Sequence, residues 1–170
     1  STAPPARACW CAFSAAGTSS PGTPTAATRV RSATARACRG GDLPPAKAKA
    51  PNFVVWAVKD PSSGNLDRIQ IVKGWVDAKG EPQDKVIDVV WSGERKPAKN
   101  GKLPPVGNTV DLQKATYTNA IGSPELMGSW TDPAFDPKQH AIYYVRVLEI
   151  PTPRFTTYDA VRNNLPLLKD

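Results

Sequence analysis

AIYYVRVLEI, residues Ala141–Ile150, alternates between two sets of side chains. Tyr143, Val145, Val147 and Glu149 fall on one side of an extended chain, and Ile142, Tyr144, Arg146 and Leu148 on the other. A period of two, carried by β-branched and aromatic residues, is the mark of a strand on a pleated, half-buried surface. Pro151 and Pro153 end it, and Thr156 or Thr157 is placed to cap a short helix through Asn164.

The same pattern recurs towards the N-terminus. FVVWAV (Phe53–Val58) is a short apolar run of the kind that makes a buried strand. PSSGN (Pro61–Asn65) is a turn cluster. LDRIQIVKGWVD (Leu66–Asp77) then puts Ile69 and Ile71 on one face and Val72 and Val76 on the other. Ala78–Asp84 supplies the Gly and Pro of a reversal, and KVIDVVW (Lys85–Trp91) returns, which makes a hairpin with a longer-than-minimal loop. Ser92–Asn108 is polar and rich in Gly and Pro, a long surface loop. Thr109–Thr118 is ambiguous, at most a weak strand, and Glu125–Trp130 is a strand or one helical turn. Thr131-Asp132-Pro133 and Asp136-Pro137 are turn signals, because the residue before a proline is kept out of the helical region. Short strands separated by turns predict a mainly β fold, a partial β-sandwich with a short C-terminal helix.

The first fifty residues have another character. Ala, Ser, Thr, Pro and Arg make up 31 of residues 1–39, with no hydrophobic periodicity. Such a segment buries too little apolar surface to offset chain entropy, so residues 1–39 are expected to be disordered, 40–51 a proline-stiffened linker, and 52–170 the β-rich domain. The net charge of +7 divides at the same place: residues 1–50 hold seven Lys or Arg against Asp42, a balance of +6, leaving +1 for residues 51–170. The body therefore lacks the clustered positive charge that phosphate backbones require, and no nucleic-acid partner is expected. Cys9, Cys11 and Cys38 also lie in this first part, in an odd number and a spacing that fit neither a closed disulfide framework nor a zinc site. No apolar run approaches the roughly 20 residues of a membrane helix, and no signal peptide is recognisable.

Catalytic chemistry is missing from the pattern. There is no Gly-rich phosphate loop, no G-x-S-x-G elbow and no H-E-x-x-H motif. His140, the single histidine, reads as a solvated loop residue before a strand. Asp132 and Asp136 are turn formers rather than a carboxylate pair, given Pro133 and Pro137. The five tryptophans could form a platform for a sugar or a base, but packing in a core is the stronger reading. The expectation is no catalytic residue, no metal ligand and no cofactor in this chain.

Three long strings carry a resemblance. LDRIQIVKGWVD (Leu66–Asp77), GKLPPVGNTVD (Gly101–Asp111) and YYVRVLEIPTPRFTTYDA (Tyr143–Ala160) resemble the C-terminal part of the bacterial family called domain of unknown function 3604. GGDLPP (Gly40–Pro45) and FVVWAVKDP (Phe53–Pro61) match the same region in the same order, so that the resemblance covers about residues 40–170. It implies a parent several times longer, periplasmic or secreted, whose upstream part is similar to the polymerase-and-histidinol-phosphatase barrel of metal-dependent phosphoesterases. A divalent metal would belong to that part, since its His, Asp and Glu clusters have no counterparts here. The substrate stays open. The family continues past the position of Asp170, which implies a truncated C-terminus.

Residues 1–39 lack those motifs. Shifted by one base, with GC-rich wobble choices, Arg7–Thr28 reads RMLVRFFGGWDF followed by EPGDADSRD, and the first string is close to what the family carries before GGDLP. The expectation is an out-of-frame segment with a compensating insertion or deletion near Arg39.

Three functional readings follow. The first is a non-catalytic C-terminal β domain whose partner is the upstream domain of a larger, metal-dependent hydrolase-like protein. The second is a free β-sandwich module for a carbohydrate or a protein. The third, ranked lowest, is a nucleic-acid protein using residues 1–50 as a basic arm. If the parent is an enzyme, Arg154 and Tyr158, in the loop after the last strand, are the residues expected to reach its binding pocket.

Overall fold

The computed structural model describes residues 50–166, together with the two short strands Ala8–Phe13 and Arg36–Ala37. In chain order the elements are β1 (Ala8–Phe13), β2 (Arg36–Ala37), β3 (Asn52–Val58), β4 (Leu66–Val76), β5 (Pro82–Trp91), β6 (Glu125–Thr131), β7 (Ala141–Glu149) and α1 (Phe155–Arg162). The strands form two antiparallel sheets, one in the order β2-β1-β3-β6 and one in the order β5-β4-β7. The fold is mainly β, with one short C-terminal helix.

The sheets meet through their inward faces. Phe53, Val55 and Ala57 of β3 and Leu126 of β6 are buried against Leu66, Ile69 and Ile71 of β4. Val89, Val90, Tyr143, Val145 and Val147 pack partly against them. Phe53 lies 4.7 Å, centroid to centroid, from the Tyr143 ring and 6.0 Å from Trp130. The β4–β5 register shifts between Ile69 and Gln70, so that Ile69 faces Val90 while Gln70 faces Asp88. This bulge leaves Val89 extra and lets two consecutive valines reach the core. They press on β6 at Gly128, where an added Cβ would meet Val90 Cβ at 3.0 Å.

Several boundaries depart from the sequence expectation. β5 begins at Pro82, three residues before Lys85, because the reversal is compressed into Asp77–Glu81. There the Asp77 carboxylate accepts the amides of Lys79 and Glu81 at 2.9 and 3.0 Å. Thr109–Thr118 contains only an isolated bridge, Asp111 with Thr116. Glu125–Trp130, left open between strand and helical turn, is strand β6. The helix starts earlier than a Thr156 or Thr157 cap would place it, with Arg154 as its N-cap and no side-chain capping bond.

Within residues 1–39, β1 pairs with β3 from Ala8 opposite Ala57 to Phe13 opposite Asn52, and β2 pairs with β1. ACWCAF is the one uninterrupted apolar stretch of that segment, a local exception that its average composition conceals. The rest of residues 1–39, and residues 40–49, lie outside the described residues.

Candidate functional site

The alternation of β4 that sends Ile69 and Ile71 into the core sends Lys73 and Trp75 to the same side. Lys73 is only 5% exposed. Its Nζ donates to Asp132 Oδ2 at 2.6 Å and to the Ala134 carbonyl at 2.9 Å, and lies 5.5 Å from the Trp75 ring centroid. Asp132, directly after β6, is 2% exposed. Its Oδ1 accepts the Ala134 amide at 2.9 Å, as an Asp before a proline turn should. Its Oδ2 also accepts the Tyr143 hydroxyl at 2.7 Å. Lys73 and Tyr143 stand on one sheet and Asp132 follows a strand of the other, so the triad ties the two sheets together.

The electrostatics mark this triad as a tie. Burial pushes the Asp132 carboxyl up, but hydrogen bonds from Lys73, Tyr143 and the Ala134 amide outweigh it and leave the group below its ordinary value. Burial, then the hydrogen bond to Asp132 and its charge, push the Tyr143 hydroxyl far above the ordinary phenol range. At neutral pH the carboxylate is ionised with its oxygens occupied, and the phenol is neutral. Neither group is poised near pH 7, where a general acid or base works best.

Beside the triad, the sheets part into a cleft of about 490 Å³ lined by Lys73, Trp75, Lys85, Trp91, Trp130 and Gln139, among others. Three of the five tryptophans therefore converge on one hollow, half-buried rather than sealed in the core. Trp56 is elsewhere, 47% exposed, with Nε1 donating to Glu125 Oε1 at 2.5 Å.

Arg154 and Tyr158 do not line this cleft. Arg154 is exposed, and its carbonyl accepts the amides of Thr157 and Tyr158 at 2.9 and 3.3 Å. Tyr158 is half-buried on α1, near Tyr117. Burial first, then Tyr158 and Glu149, raise the Tyr117 hydroxyl above its ordinary value. His140 is exposed, and Asp136 is exposed with its Oδ1 accepting the Lys138 amide at 2.9 Å. Among the described residues no three His, Cys, Asp or Glu side chains gather as a metal site would need, and no helix is long and apolar enough to cross a membrane.

Sequence reasoning took Asp132 only as a turn former and passed over Lys73. The signal was a lysine in register with Ile69 and Ile71 on a core-facing strand, since a charge there requires a buried partner.

The model of a family described as "Protein of unknown function (DUF3604)" matches residues 13–170, nearly the whole chain. The chain belongs to the DUF3604 family. The match starts well before Gly40, so residues 13–39, which the sequence motifs left outside the family, lie within the matched range. No curated protein and no solved structure matches the chain. Membership of DUF3604 carries no activity with it, and the chemistry has to be argued from the residues.

Proposed function

We propose that this chain is a non-catalytic β-sandwich domain of a longer DUF3604 protein, docked through the outer face of β5-β4-β7 onto an upstream domain. One observation carries the reading: that face is apolar and, among the described residues, exposed. Ile142 is 70% exposed, Val76 55%, Tyr144 50% and Val86 45%. They surround Gly74, which faces Ile142 across the ladder, and an added Cβ there would come within 3.2 Å of Ile142 Cγ1. The missing side chain leaves a shallow hollow with Ile142 leaning over it.

A polar row borders the patch on the same face. Arg146 donates to Gln70 Oε1 at 2.9 Å, Gln70 donates to Asp88 Oδ1 at 2.6 Å, and Arg68 lies 3.5 Å from Asp88. An apolar centre with a hydrogen-bonded rim is how docked surfaces are built. The saturated Lys73–Asp132–Tyr143 triad supports the non-catalytic part of the reading. The family resemblance supports the identity of the occupant, a metal-dependent, phosphoesterase-like hydrolase domain, and with it a periplasmic or secreted parent.

Sequencing the source DNA through codons 1–41 and upstream of them tests this. A continuous frame encoding a His- and Asp-rich domain ahead of this one is the expected result; an in-frame stop with no such domain refutes the reading. The same experiment decides the reading frame of residues 1–39. The coincident breaks in charge, cysteine content and composition favour a shifted frame, and the family match back to residue 13 in the present frame opposes it.

A further inference from the structure

We propose that the tryptophan-lined cleft binds an anionic sugar unit, a pyranose carrying a carboxylate or a sulfate. The cleft opens beside the Lys73–Asp132 tie and reaches the β5 edge of the outer face, sharing Val86 and Asp88 with it. Its volume of about 490 Å³ falls in the range of small-ligand sites. Trp75, Trp91 and Trp130 line it, and the apolar C–H face of a pyranose packs on an indole.

The polar groups around the indoles are unusual in being unused. The indole N–H of Trp91 donates to the Arg95 carbonyl at 2.8 Å. The N–H groups of Trp75 and Trp130, the Lys85 ammonium and the Gln139 side-chain amide have no partner among the described residues. No buried side-chain nitrogen or oxygen among those residues lacks a bond, so these groups are accessible. Three of the four are pure donors, and a donor-rich wall selects a ligand rich in acceptors. Ring oxygens, hydroxyls and an anionic substituent meet that demand.

The charge of the wall decides the sign. Lys73 is held by Asp132 at 2.6 Å, and the lining Asp88 by Gln70 at 2.6 Å and Arg68 at 3.5 Å, whereas Lys85 stands opposite Lys73 in the β4–β5 ladder with no ion pair among the described residues. One uncompensated cation among aromatic rings favours one anionic group on the ligand.

The test is titration of the full chain, followed by tryptophan fluorescence, with four probes. These are an oligogalacturonide, a sulfated dextran oligosaccharide, a neutral maltooligosaccharide and adenosine monophosphate. The expected result is saturable quenching by one of the two anionic saccharides, which also tells carboxylate from sulfate. Lys85→Gln, an exposed position where folding is not at risk, should weaken that binding about tenfold, the weight of one charge-assisted hydrogen bond. Trp75→Ala should abolish it, with circular dichroism confirming the fold. The proposal is overturned if neither anionic saccharide gives a saturable change, if Lys85→Gln binds like the parent chain, or if the neutral sugar or the nucleotide binds as tightly.

Discussion

The two halves of β4 point side chains into the same space and fill it with opposite materials. From Leu66 to Ile71 the inward residues are Leu66, Ile69 and Ile71, all at most 1% exposed in a dry core. From Lys73 to Trp75 the inward residues are a lysine and a half-buried indole at the mouth of a cleft. The apolar half needs no particular partner, because burial of hydrocarbon is non-directional. The polar half holds together only through specific geometry, since a buried ammonium without its carboxylate is costly. A sandwich can thus be sealed at one end and kept open at the other by changing two residues on one strand.

Breaking the polar half should give the largest effect. Asp132→Ala leaves Lys73 buried and unpaired and should cost about 3–5 kcal/mol in urea unfolding. Replacing Lys73, Asp132 and Tyr143 together by Met, Leu and Phe should recover most of that loss. If the single change proves harmless, the triad is not the tie described here.

The apolar half is vulnerable at its closing turn. Gly122 has φ +80, and an added Cβ would sit 2.7 Å from both Asn65 Cβ and Ile150 Cγ2. Gly122→Ala should therefore cost about 2–4 kcal/mol from backbone strain and overpacking combined. A neutral outcome would mean that this end is looser than its packing indicates.

Smaller effects sharpen the contrast. Tyr143→Phe removes one bond to a carboxylate that keeps Lys73, so a loss of about 1–2 kcal/mol is expected. The pH dependence should follow from the same group. Asp132 is depressed in the folded state, so its contribution is present above the unfolded value of 3.8 and is lost as pH falls through the folded value. Tyr143 is raised, so its contribution is present below 10.0 and is lost as pH rises beyond it. Thermal melts from pH 2 to 11 should show both limbs in the parent chain and flattened limbs in the triple variant.

Much of this fold was legible because strands advertise themselves with a period of two. Ala141–Ile150, Leu66–Asp77 and Lys85–Trp91 could be read directly, and the turn between the last two announces their hairpin, whereas the pairing of Ala141–Glu149 with Leu66–Val76 is long-range and only the fold supplies it. The site was less legible, for a physical reason. Lys73, Asp132 and Tyr143 are distant in sequence, and only the packing of two sheets brings them within hydrogen-bonding distance. The convergence of Trp75, Trp91 and Trp130 on one cleft likewise joins residues of three different strands, which no local pattern encodes. Arg154 and Tyr158 were chosen because loops after strands often face sites; they lie away from the cleft, and their expected role concerns a pocket of the parent protein.

Docking through the outer face of β5-β4-β7 is most directly tested by co-purification. This chain would be produced together with the separately tagged polypeptide encoded immediately upstream. A stable one-to-one complex is expected, lost on Ile142→Asp or Tyr144→Lys and kept on Lys85→Gln. No complex, or a complex indifferent to both outer-face changes, would contradict it.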